Sequence, residues 1–96
     1  MKTDHVQFNG RDVVMLETQT PFERMRGLLG RTGLLADEAM LFRNCGAIHT
    51  FGMKFPINVY FTDKDLNVVK TIRNVRPGRV VFGGFRAVHT VETAVL

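Results

Sequence analysis

The sequence holds a single cysteine, Cys45, among 96 residues. One thiol cannot close an intramolecular disulfide, so the fold is independent of oxidation and suits a reducing compartment. Long apolar runs are missing as well. None approaches the ~18 residues of a membrane span. The N-terminal MKTDHVQFNGRD is polar and lacks the apolar core of a signal peptide. A cytoplasmic location is therefore expected. Alanine is scarce beside valine, 5 against 12, and a chain rich in branched and aromatic residues favours strands over a helical bundle. Acidic residues are absent between Asp65 and Glu92, while Lys70, Arg73, Arg76, Arg79 and Arg86 fall in that interval. The strong site signatures are absent too. There is no Cys-x-x-Cys or His-Glu-x-x-His pattern for a metal. FGGFR lacks the spacing and lysine of a phosphate-binding loop, and no aromatic-glycine RNA signature or helix-turn-helix pattern occurs. No cofactor and no metal site is expected.

What is present suffices for one core. Leu, Ile, Val and Phe make up 31 of the 96 residues, well above the level of about 20% below which chains tend to disorder. The length implies one domain, residues 1–96. Val13 to Leu16 is a short apolar run suited to a buried strand. Thr20, Pro21 and Glu23 carry the chemistry of an N-cap, a first helical residue and a capping box. Phe22, Met25, Leu28 and Leu29 then recur at helical spacing, which predicts a buried stripe on a helix over about 21–30, ended by Gly30. Gly27 within that span suggests close approach by a neighbouring strand. Further strands are expected at Ala39–Arg43, Ile57–Thr62, Asn67–Arg73, Val80–Phe82 and Ala87–Val91. The second and third form a hairpin around Asp63 to Leu66, and Pro77-Gly78 makes a turn. The fold class is thus α+β and mainly β: a small antiparallel sheet curled into an open, barrel-like form with one main helix.

ERMRGLLGR, AMLF, CGAIHTFGMKFPINVYFTD and AVHTVE, in this order and spacing, resemble the domain of unknown function 192 family, also known as uncharacterised protein family 0127. The resemblance runs from about Leu16 to Glu92. It implies a small β-rich fold with one helix and no particular activity. Some members of the family carry export signals. The family pattern has Asp where this chain has Asn58, which removes an acid that would be an obvious polar handle. It also continues beyond the strand containing Glu92 with a glycine-bearing tail. This chain ends at Leu96, so an open strand edge is expected there.

Candidate functional residues cluster in CGAIHTFGMKFPINVYF. Cys45 and His49 could pair as thiolate and imidazolium if the chain turned at Gly46; in an extended strand they would lie about 13 Å apart. Metal ligation would need Cys45, His49, His89 and Glu92 to converge, with packing the simpler role for both histidines. Phe51, Met53 and Phe55 fall on one face of an extended segment, as core or as the apolar wall of a pocket with His49 at its polar tip. Asn58, Tyr60 and Thr62 alternate with Ile57, Val59 and Phe61, giving a polar face open to solvent or ligand. Arg31 suits a helix end, and from there it could reach the mouth beside His49 and hold an anion. The favoured function is a non-catalytic module binding a small molecule or a protein through His49, Met53, Arg31, Asn58 and Glu92. The alternatives are an enzyme using Cys45 and His49, and an anion or nucleic-acid binder using Arg73 to Arg86.

Overall fold

The computed structural model describes residues Met1–Leu96. β1 (Lys2–Phe8) and β2 (Arg11–Glu17) pair as a tight hairpin. Its Asn9-Gly10 turn takes positive φ at both residues, the geometry that matches strand twist in a two-residue loop. Sequence reasoning missed β1 because its residues are exposed until Phe8. An edge strand with one anchored end carries almost no apolar alternation. The helix α1 (Pro21–Arg26) follows, and then β3 (Glu38–Phe42), which lies parallel to β2. A parallel pair needs a crossover connection, and residues 18–37 supply it. β4 (Ala47–His49), β5 (Ile57–Thr62), β6 (Val68–Val75), β7 (Val80–Phe82) and β8 (His89–Ala94) complete the chain. The large sheet has the order β1-β2-β3-β8-β5-β6, and β4 pairs with β7 separately.

The fold is mainly β with one short helix, and every strand pair except β2–β3 is antiparallel. The sheet is strongly curled without being closed. Phe8 of β1 meets Tyr60 of β5 edge to face, with ring centroids 5.5 Å apart. Four strand steps separate those strands, which in a flat sheet would hold them about 19 Å apart. Curling therefore gives the sheet two apolar interiors. On one face Leu28, Met40, Phe42, Met53, Ile57, Val59, Phe61 and Val75 pack together. On the other, Phe8, Val13, Met15, Ala39, Leu41, Tyr60 and Val91 do so. The expected polar face of β5 is overturned for this reason: Tyr60 and Thr62 are buried. The expected open edge near the C-terminus is also overturned. β8 sits inside the sheet between β3 and β5, and the edges are β1 and β6.

The helix differs from expectation in length and in packing. The cap is as read: Glu23 N–H donates to Thr20 Oγ1 at 3.1 Å, and Pro21 opens the helix. Glu23 Oε1 in return accepts from Gln19 N–H at 2.7 Å. The helix stops at Arg26, because Gly27 turns the chain with φ 47° and ψ −120°, a region open essentially to glycine alone. Only Leu28, beyond the helix, joins the core as a buried side chain. Phe22 and Met25 are 66% and 73% exposed. The supposed stripe is broken because the backbone leaves helical geometry between Met25 and Leu28. No helix is long and apolar enough to cross a membrane.

Candidate functional site

A cleft of about 330 Å3 opens between α1 with its trailing turn and strands β3, β4 and β8. Leu28, Leu29, Phe42, Ile48 and Met53 form its apolar walls. Arg24, Met25 and Arg26 come from the helix, and Cys45, His49 and Glu92 bring polar atoms. Arg24 is tied to the loop after β3 by a hydrogen bond from Nη2 to the Asn44 carbonyl at 3.4 Å. Gly27 lets the helix end lie on Phe42: a Cβ there would stand 3.2 Å from the ring.

β4 is held from two sides. Its partner β7 sets Ala47, Ile48 and His49 opposite Phe82, Val81 and Val80. Below it, Thr50 is fully buried and locks the turn that follows β6. Its hydroxyl donates to the Arg76 carbonyl at 2.7 Å, and Arg79 N–H donates back to it at 2.9 Å. Residues 50–56 turn after β4, with Gly52 at φ 79°, so the extended face expected for Phe51, Met53 and Phe55 does not form. Met53 is buried in the cleft wall, whereas Phe51 is exposed and stacks on the His49 ring at 5.5 Å and 28°.

Cys45 and His49 share the cleft without a hydrogen bond between them. The Cys45 thiol donates to the Ala47 carbonyl at 3.1 Å, and the imidazole leans on Phe51. His89 is buried on β8, and its Nδ1 accepts from Asn44 N–H at 2.9 Å. No three His, Cys, Asp or Glu side chains gather as a metal-holding group.

Glu92 is the unusual member. It is 4% exposed, with Met40 of β3 and Val59 of β5 as its register partners on either side. Burial pushes its carboxyl up to about 8, and neither a hydrogen bond nor a nearby charge opposes that shift. A carboxyl in such surroundings holds its proton at neutral pH. It is then a hydrogen-bond donor facing an apolar cleft.

The structure therefore unites His49, Met53 and Glu92 with Cys45, and it leaves Arg31 and Asn58 out. Arg31 lies beyond the cleft beside Glu38, with 3.9 Å between Nη2 and Oε2, and its Nη1 is buried without a hydrogen bond. Asn58 has a structural task at the far end of β5. Its side chain donates to the Ala94 carbonyl at 3.3 Å and accepts from Asn74 N–H at 2.9 Å. It thereby braces the register shift between β5 and β6, where Asn74 takes positive φ. Sequence reasoning missed Arg24, Arg26, Leu28, Leu29, Phe42 and Ile48 as cleft residues. The one local signal was Gly27, whose freedom ends the helix early and turns its end towards β3.

The fold is shared with two solved structures. One is a Sinorhizobium meliloti protein provisionally described as a transcription regulator, 18% identical, with a TM-score of 0.79 over 88% of this chain and 70% of that one. The other, of unknown function and from Novosphingobium aromaticivorans, is 19% identical, with a TM-score of 0.76 over 94% of this chain and 70% of that one. At these identities the likeness is one of fold. No curated protein matches the sequence. The model of the DUF192 family, described as "Uncharacterized ACR", matches residues 5–94, and the chain belongs to that family.

Proposed function

We propose that this chain is a binding module that takes a small, largely apolar molecule in the cleft beside His49 and Met53. The observation that supports this is the cleft itself. It has apolar walls, a few convergent polar atoms and a volume of about 330 Å3, near the lower end of the range for small-molecule sites. The side chains in it do not form a nucleophile–base pair, so a binding role accounts for them better than cysteine catalysis. Anilinonaphthalene sulfonate is a suitable probe, with an apolar body and an anionic group to meet Arg24 and Arg26. Ala47 is exposed on β4 and lines the cleft, so Ala47→Trp narrows the mouth with little effect on the core. Probe fluorescence is expected to rise with the parent protein and to fall at least tenfold in affinity with the variant, about 1.4 kcal/mol. Equal binding by both would place the probe elsewhere and remove this reading.

A second reading, anion or nucleic-acid binding, has one observation in its favour. Lys70, Arg73, Arg76, Arg79 and Arg86 are all exposed, and none of them joins an ion pair. On this reading heparin retains the protein at low salt and releases it steeply as salt rises. Absence of retention at low salt would exclude it.

A further inference from the structure

Glu92 is the one acidic side chain in the cleft lining, buried to 4% exposure and without a hydrogen bond or ion pair. Its neighbours on the sheet, Met40 and Val59, offer it nothing polar. The one fully enclosed side-chain nitrogen or oxygen without a partner is Arg31 Nη1, so the Glu92 oxygens open onto the cleft, and a ligand seated there can supply the hydrogen-bond partner that the protein does not. The charged and titratable groups that share the cleft with it are Arg24, Arg26, Cys45 and His49. An ammonium would suit an ionised Glu92, yet it would have to pass two arginines into a chain of net charge +4. An uncharged acceptor meets neither obstacle.

Resting on the ligand-binding reading of the cleft, we propose that its ligand carries an uncharged hydrogen-bond acceptor on an apolar body, a ketone, ester or amide carbonyl, and that the Glu92 carboxylic acid donates to that oxygen. The apolar body lies against Leu28, Leu29 and Phe42, and the carbonyl points inward to β8. Burial of Glu92 holds its carboxyl protonated up to about pH 8, so the donor is present at neutral pH and is lost above it. An ionised carboxylate presents only lone pairs to a carbonyl oxygen, and binding weakens.

Three probes of matched body separate the possibilities: naphthyl methyl ketone, ethylnaphthalene and naphthylethylamine. Their affinities are measured by ligand-observed NMR titration at about pH 7 and about pH 9, on either side of the Glu92 transition. The ketone is expected to bind about tenfold more tightly than ethylnaphthalene at the lower pH, the worth of one good hydrogen bond. That advantage is expected to vanish at the higher pH. Glu92→Gln keeps an N–H donor, so it is expected to retain the ketone preference at both pH values. Three results would overturn the inference while leaving a binding cleft intact: a ketone no better than ethylnaphthalene at pH 7, an amine that binds tightest with affinity rising towards pH 9, or a Glu92→Gln variant that keeps the parent's pH dependence and so transfers it to Cys45 or His49. If none of the three probes binds, the ligand-binding reading itself falls, and this one with it.

Discussion

Glu92 makes folding depend on pH in a direction opposite to that of a salt-bridged acid. Its carboxyl titrates near 4.5 when solvated and is raised to about 8 by burial in the folded chain. Between those values the folded protein holds a proton that the unfolded chain has released. Stability is therefore greatest at and below the lower value, falls as pH rises through the interval, and levels off above the upper one. A shift of this size corresponds to a loss on the order of 5 kcal/mol, a large part of a small domain's stability. Glu92→Gln cannot ionise. It is expected to unfold in urea at about the parent's midpoint near pH 5, or slightly below it where the amide lacks a partner, and to be several kcal/mol more stable near pH 9. A parent whose urea midpoint is unchanged between those pH values would show that the carboxyl is solvated.

The elements around the cleft are short, and each depends on a particular backbone contact. α1 has six residues, too few to persist without its cap and its tertiary seat. Gly83, just after β7, has the tightest surroundings of any glycine in the chain. A Cβ there would stand 2.4 Å from Ala87 Cβ and 2.6 Å from the Phe61 ring, and Gly83 N–H donates to the Gly46 carbonyl at 2.8 Å. Bare backbone is thus what lets the segment linking β7 to β8 lie on Phe61 and hold the start of β4. Gly83→Ala is expected to destabilise by about 1–3 kcal/mol through overpacking. Gly10→Ala meets no atom within 4 Å and reports only the strain of its positive φ. A Gly83→Ala urea midpoint equal to the parent's would mean that this segment moves freely.

Across the whole molecule, the cleft is cut into the margin of the core: Leu28, Phe42 and Met53 belong to both, while other residues belong to only one. Phe61 is fully buried in the interior formed by β3, β5 and the residues after α1, whereas His49 lies on the outer face of β4. Phe61→Ala is expected to destabilise by about 3–5 kcal/mol, and His49→Ala by within about 0.5 kcal/mol. Chemical denaturation of the two variants makes the comparison. A neutral Phe61→Ala together with an unfolded His49→Ala would reverse the positions of core and site.

Local chemistry was legible in the residues themselves. Thr20-Pro21 with Glu23 states a helix start, Asp63 to Leu66 states a turn, and the alternation from Ile57 to Phe61 states a strand. Pattern and spacing in CGAIHTFGMKFPINVYF and AVHTVE also carried the family. What stayed hidden depends on contacts between segments far apart in the chain. The end of α1 is set by how Gly27 settles on Phe42. The burial of Tyr60 and Thr62 is set by a curl that carries β1 round to β5. The parallel alignment of β2 and β3 is set by the path of residues 18–37. The candidate site follows the same division. His49, Met53, Cys45 and Glu92 could be named from residue type, but residue type alone could not distinguish them from Arg31 and Asn58. Only the folded sheet brings Glu92 on β8 beside the end of α1, because side-chain alternation fixes which face a residue takes and strand order fixes what that face meets.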